Sequence, residues 1–157
     1  MIQKEIGGYA KDYVEMQWLM LQQSEPSDYV IASGRSESVR KFVEISALKL
    51  GWNKGSNGPG IIWEGEGLNE IGRRADNGEI IIRIDPRYFR PTEVNNLHGD
   101  SKKAYLELGW EPKTTLEEMI ESMIINDSNE ANKELILRNK GFSPNNSLET
   151  IPKIMGD

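Results

Sequence analysis

The sequence predicts a small mixed α/β domain, with three main helices set around short strands. Three features carry that reading: apolar residues at helical spacing from Val39 to Leu50, an Asn-Gly turn between two extended runs, and a capping-box pattern at Thr115 and Glu118. At 157 residues the chain has room for one compact core and is too short for two ordinary domains.

Taken in order, "AKDYVEMQWLMLQQ" from Ala10 reads as a helix burying a stripe of Tyr13, Val14, Trp18 and Leu21, stopped by "SEPSD". "YVIA", Tyr29 to Ala32, is short and β-branched and reads as a buried strand closed by Gly34. Ser38 is suited to cap the next helix, in which Val39, Phe42, Val43, Ala47 and Leu50 share a face and Gly51 provides the stop. "NKGSNGPG" is a loop and "IIWE" a strand; "RADNGE" then turns the chain into the strand "IIIRI", because Asn-Gly adopts the positive φ angles of tight hairpins. "DSKKAYLELGW" is a short helix capped by Asp100. The last helix starts at Thr115 with Leu116, Met119, Ile120, Met123 and Ile124 as its apolar stripe, which fades past Asn126. From Gly141 turn formers without periodicity predict a loosely attached tail.

Composition narrows the function classes. A net charge of -6 and a mean hydropathy of -0.58 describe a soluble chain with no general attraction to nucleic acid or an anionic membrane, so any bound anion needs a local cationic cluster. With no cysteine and one histidine, disulfide staples and thiolate catalysis are excluded and a zinc site lacks ligands; the expected compartment is a reducing cytoplasm. "MIQKEIGGYAKDY" has no apolar core of signal-peptide length, and no run nears the roughly 18 apolar residues of a membrane span.

Three stretches invite chemistry. "GSNGPG", Gly55 to Gly60, has the glycine content of a phosphate loop, but such loops lead from a strand into a helix, and here a helix precedes and a strand follows; a connector is the better reading. His98 titrates near neutrality, yet no residue is visibly arranged to orient it, so it is assigned no chemistry. "DPRYFRPTEV" differs. Pro86 and Pro91 stiffen the backbone around Arg87 and Arg90, guanidinium groups match phosphate oxygens, and Glu93 can accept hydrogen bonds from vicinal hydroxyls such as those of a ribose. Together they suit a nucleotide. From spacing alone, a surface salt bridge from Arg87 or Arg90 to Glu93 is the better reading.

"AKDYVEMQWLMLQQ", "SVRKFVEISALKLG", "IIWEGEGLNEIG", "DPRYFRPTEV" and "GDSKKAYLELGWEPKTTLEEMIESMI" occur in the same order as in the C-terminal part of GDP-mannose 4,6-dehydratases, which are extended short-chain dehydrogenase/reductases. Over about residues 9 to 127 the chain resembles that family, and the R-P-T-E-V and L-G-W-E-P-K elements make chance an unconvincing explanation. The resemblance implies a substrate-binding lid domain. In the family an NADP cofactor takes hydride from C4 of the sugar of GDP-mannose, water leaves across C5 and C6, and the hydride returns at C6, giving GDP-4-keto-6-deoxy-D-mannose. It further implies Arg90 at the diphosphate and Glu93 at the ribose, with Arg87 as an additional candidate.

The chain also departs from the family pattern. The NADP loop and the Tyr-x-x-x-Lys pair belong to an N-terminal Rossmann domain that this sequence does not contain; no tyrosine here has a lysine four positions on. The chain alone is therefore expected to hold no cofactor and to be inactive. Where the family has R-D-W-G-H this chain has "EIGGY", placing Glu5 at the position of a diphosphate-contacting arginine, and Glu37 stands where an aromatic residue or histidine is expected. The expected organisation is a lead segment at 1–8, a lid domain at 9–140 and a tail at 141–157. Its expected partners are GDP or GDP-mannose, a separate Rossmann-domain chain and further copies of itself. Two alternatives stand beside it: a non-catalytic remnant or interaction module, and half of a related nucleotide-sugar dehydratase or epimerase.

Overall fold

The computed structural model describes residues 4–5, 8–54, 57–88 and 99–142. The chain forms two compact units, 1–122 and 123–157. Within the first lie β1 (Lys4–Glu5), α1 (Ala10–Leu21), β2 (Glu37–Ser38), α2 (Val39–Lys49), β3 (Ile61–Glu64), β4 (Ile71–Arg74), β5 (Ile80–Arg83), α3 (Lys102–Leu108) and the opening turns of α4 (Leu116–Asn139). The architecture is the mixed α/β one expected.

Strands β3, β4 and β5 make an antiparallel meander, and β1 pairs with β2 in a separate two-stranded ladder. "IIWE" is β3 and the "RADNGE" loop joins β4 to β5, with Arg74 N donating to Glu79 O at 2.9 Å and Gly78 at φ 75°. A bulge falls between Gly72 and Arg73. Space is tight at Gly72, where a Cβ would sit 3.0 to 3.2 Å from side-chain atoms of Ile61, Trp63 and Ile82.

Helix α2 has the ends its sequence predicts. The Ser38 hydroxyl accepts from Lys41 N at 3.1 Å; at the other end Trp52 N donates to Ala47 O at 3.1 Å and Gly51 N to Leu48 O at 3.0 Å, with Gly51 in the left-handed region at φ 73°. The helix packs on the sheet with Ala47 and Ile61 both buried and with Arg40 4.3 Å above Trp63; in the turn after the helix, Trp52 takes Arg74 of β4 at 4.6 Å. Arg40 is also ion-paired with the buried Glu70, and Trp63 Nε1 donates to Glu44 at 3.0 Å.

Gly60, at the end of the glycine-rich stretch, is buried against α2. A Cβ on it would lie 2.8 Å from the Ala47 carbonyl oxygen, a backbone atom that cannot step aside. This stretch therefore has a packing reason for its last glycine. Gly60→Ala is expected to cost about 2 kcal/mol through overpacking, read as a lower urea midpoint at unchanged slope.

Two expectations are corrected. Helix α1 does not bury Val14, Trp18 and Leu21, which are 60%, 59% and 81% exposed; it turns Asp12 and Met16 inward. Asp12 determines that choice. Its carboxylate accepts from Lys113 N (3.2 Å), Thr114 N (3.0 Å) and Thr114 Oγ1 (3.1 Å), while its carbonyl accepts from Trp110 Nε1 at 3.0 Å. The residues at 12, 16 and 19 share one helical face, opposite 14, 18 and 21. Met16, Ala104 and Trp110 form the core, with Tyr13, Leu19, Met20, Tyr29, Ile31 and Leu108 around it.

The second correction is at Tyr29–Ala32, which is not a strand and pairs with none among the described residues. Tyr29 instead donates its hydroxyl to Glu107 at 2.9 Å beside the Lys103 ammonium, 4.7 Å from its ring, so α3 holds the segment by side chains. Helix α3 is present, but its cap residue is Ser101, which makes no side-chain cap bond, rather than Asp100; the Asp100 carboxylate accepts from Lys102 N at 2.9 Å one residue further out, and Gly109 ends the helix at φ 66°.

The capping box of α4 is complete. Thr115 N and Oγ1 each donate to Glu118 at 2.8 Å, and Glu118 N donates to Thr115 Oγ1 at 3.2 Å. The hydrogen bond from the Thr115 amide, followed by that from its hydroxyl, lowers the pKa of Glu118. In the second unit α4 continues to Asn139, with Leu135, Ile136 and Phe142 exposed and Gly141 at φ 81° closing it. Residues 143–157, which contain most of the expected tail, lie outside the described residues.

Candidate functional site

A cavity of about 370 Å³ opens in the first unit, between the start of α2, the start of α4 and the Gly8–Tyr9 lead into α1. Val39, Phe42, Leu116 and Met119 give it an apolar floor; Arg35 and Glu37 stand on its polar rim. Each wall is fixed locally. Arg35 Nη2 donates to Thr114 O at 3.0 Å, tying the segment before α2 to the segment before α4, and Tyr9 Oη lies 3.2 Å from Ser122 Oγ.

Two helix N-termini reach this cavity, and one first-turn amide of each has a side-chain partner: Lys41 N donates to the Ser38 hydroxyl in α2 and Glu118 N to the Thr115 hydroxyl in α4. Glu37 is paired with Lys41 at 2.8 Å, and that hydrogen bond raises the Lys41 pKa. The volume is within the range of small-molecule clefts, and the lining suits a flat, partly apolar group more than a diphosphate.

The β1–β2 register sets Glu5 opposite Glu37 and Lys4 opposite Ser38. Thus two glutamate positions face each other across the ladder, and Glu37 also lines the cavity. Nothing in the sequence spacing signals that these segments converge; only the individual caps were readable.

Of the nucleotide-binding candidates, Arg87 is described, whereas Arg90 and Glu93 lie outside the described residues, as does His98. Arg87 sits in the single-turn 3-10 helix Pro86–Tyr88. Its carboxylate partner is Asp85: Arg87 Nε lies 3.0 and 3.1 Å from the two oxygens, Nη2 contacts the same group, and Arg87 N donates to it at 2.9 Å. Asp85 thus orders the turn and occupies the fork of Arg87 at once.

The side-chain hydrogen bond from Arg87, with help from its amide, brings the Asp85 carboxyl down to about 2. Because the folded value is depressed, the contribution to stability is present above the usual carboxylate range near 4 and is lost as pH falls toward 2. Exposure of the pair keeps that contribution small. A carbon-detected NMR titration is expected to place the Asp85 midpoint near 2 in the native protein, and Arg87→Gln to return it to the ordinary range; an unshifted midpoint in the native chain counts against the pair.

Among the described residues no cluster of three or more His, Asp or Glu is placed to hold a metal, and no helix is long and apolar enough to cross a membrane. Nor do those residues form a strand–glycine turn–helix unit of the kind that holds a dinucleotide; Gly60 leads out of a loop into β3. NADP has no fitted site on them.

A mixed α/β unit of this kind corresponds to the C-terminal part of an extended short-chain dehydrogenase/reductase, and comparison with known proteins narrows the class. A family model described as GDP-mannose 4,6 dehydratase matches residues 2–123, ending beside the division between the two units. GDP-mannose 4,6-dehydratase from Yersinia enterocolitica is 43% identical over 153 residues, covering 91% of this chain and 39% of the relative. The enzyme of that name from Vibrio cholerae is 44% identical, covering 90% and 39%; the Homo sapiens protein is 46% identical over 117 residues, covering 74% and 30%. The chain belongs to the GDP-mannose 4,6-dehydratase family. It spans about two fifths of the length of the bacterial relatives.

Proposed function

We propose that the chain is the substrate-binding part of a GDP-mannose 4,6-dehydratase, gripping the GDP portion of GDP-D-mannose while an NADP-bearing part carries out the oxidation, dehydration and reduction that yield GDP-4-keto-6-deoxy-D-mannose. The observation that carries this reading is the family match across most of the first unit. In it Arg90 holds the diphosphate and Glu93 the ribose, with the Pro-braced backbone reducing the freedom lost on binding. Arg87, committed to Asp85, serves as a brace for the turn rather than as a free phosphate ligand. The chain by itself supplies no nucleophile, acid or base to the sugar and no cofactor, and works in a cytoplasmic setting where GDP-mannose is available.

Calorimetric titration with GDP, GDP-mannose and dTDP tests this. Saturable heat with GDP and GDP-mannose, absent with dTDP and abolished by Arg90→Ala, is expected. No heat at millimolar ligand, with and without the cofactor-bearing part of a dehydratase, overturns it.

A second reading is favoured by one observation, the pairing of Glu5 with Glu37. Two acidic positions, one where the family is expected to have an arginine and one where it is expected to have an aromatic residue or histidine, oppose a diphosphate, as expected of a remnant that keeps the fold without the ligand. Under the substrate-binding reading Glu5→Arg should tighten GDP binding by roughly tenfold, the value of one charge-assisted contact; under the remnant reading neither protein binds.

A further inference from the structure

We propose that Asn77 and Gly78, at the tip of the β4–β5 hairpin, form a self-modifying site at which the folded chain converts the asparagine to aspartate and isoaspartate without an enzyme. The inference concerns this hairpin alone and is independent of the nucleotide reading above.

The reacting atoms are the backbone nitrogen of Gly78 and Cγ of Asn77. The nitrogen attacks Cγ, a C–N bond forms, and the side-chain NH2 leaves as ammonia, carrying the proton that Gly78 N gave up. Water then opens the cyclic imide. Breaking the new C–N bond gives aspartate; breaking the original peptide bond gives isoaspartate, whose main chain runs through the side-chain carbons. Solvent water is the only other reactant, and no electrons are exchanged.

Two features of the turn favour ring closure. Both residues are exposed, and a Cβ added at Gly78 would meet nothing within 4 Å, so approach to the nitrogen is uncrowded. In addition, Glu79 N donates to Asn77 Oδ1 at 3.0 Å. The ring closed by that bond includes both Cγ of Asn77 and N of Gly78, so the carboxamide is folded over the turn instead of extending into solvent. The Glu79 amide also faces the oxygen on which negative charge develops as the nitrogen adds, the service an oxyanion-hole donor performs.

One bond opposes the attack. Gly78 N donates to Arg74 O at 3.0 Å and must be released before it can react. As a single hydrogen bond at an exposed tip it slows closure by roughly fivefold relative to the unfolded sequence and does not prevent it. The Arg74 N to Glu79 O bond, 2.9 Å, can stay closed while the tip opens.

The products act on a neighbouring contact. Either one places a carboxylate beside Asp76, whose oxygens hold Arg74 at 3.0 and 2.8 Å, and Arg74 is the side chain stacked on Trp52. Isoaspartate also lengthens the main chain between Arg74 and Glu79, which puts their closing bond out of register. The modification thus loosens the hairpin from the turn after α2.

The test incubates the full chain under native conditions in mildly alkaline buffer beside a peptide spanning residues 71–83. Both are followed by peptide mapping with fragmentation that separates isoaspartate from aspartate. The expected result is conversion at Asn77, isoaspartate among the products, at a rate within about tenfold of the peptide's. Slower conversion than that overturns the proposal, since a reaction waiting on global unfolding proceeds through an unfolded fraction on the order of a thousandth or less. Conversion to aspartate with no isoaspartate overturns it as well, by pointing to direct hydrolysis without the imide. In the separated isoaspartyl protein the Trp52 indole resonance is expected to shift; an unmoved resonance overturns the link from the hairpin tip to the Arg74 stack.

Discussion

Trp110→Ala should leave the first unit close to unfolded. The indole is only 2% exposed, packs with Met16 and Ala104, and donates from Nε1 to the Asp12 carbonyl. Truncation empties the centre of a small core and removes that hydrogen bond, for a combined cost of about 4 kcal/mol. Against the total of roughly 5 to 15 kcal/mol typical of a domain, that is a large fraction. Urea unfolding followed by circular dichroism should show the midpoint collapse for Trp110→Ala. Trp110→Phe, which keeps most of the ring contacts and loses the donor, should fall between it and the parent. Equal midpoints for all three would mean that the core lies elsewhere.

Asp12→Ala is the second large effect, and its origin is polar. A single buried carboxylate satisfies the amides of Lys113 and Thr114 and the Thr114 hydroxyl. Its removal leaves these donors without a partner in a partly buried setting, and the expected loss is about 3 kcal/mol. Asp12→Asn keeps one acceptor oxygen but turns an NH2 group toward other donors, so it should recover only part of the loss. The ranking parent, Asn, Ala in urea midpoint is the readout. A simple helix-propensity effect predicts the opposite for alanine, a better helix former than aspartate, and so is separable from the hydrogen-bond account.

These two residues also explain where reading the sequence succeeds. Local signals were legible: the Ser38 cap, the Gly51 stop, the Thr115–Glu118 box and the 74–79 hairpin depend on residues within a few positions of each other, and each has the anticipated geometry. The orientation of α1 was not legible, because it depends on hydrogen bonds that Asp12 accepts from residues about a hundred positions away, which outweigh an apolar stripe counted from hydropathy alone. "YVIA" has the composition of a strand, but a strand also requires a neighbour, and among the described residues it has none.

The site divides similarly. Charge and proline content singled out the stretch containing Arg87, yet the aspartate two residues before it, rather than Glu93, is the partner Arg87 meets. Arg90 and Glu93 lie outside the described residues and enter the account through the proposal above. The cavity flanked by Arg35 and Glu37 was invisible to spacing, because three segments distant in sequence create it.

The clasp between Asp12 and the 110–114 segment has a consequence for biosynthesis. Its two halves are about a hundred residues apart, so when α1 leaves the ribosome the aspartate, Met16 and the incipient core must wait until nearly all of the first unit has been translated. Contacts of such long sequence separation form slowly, since loop closure precedes any compensating gain. During that interval the nascent helix presents both its future interior and the Trp18 side to solvent, which makes it a natural client for chaperones that shield apolar segments.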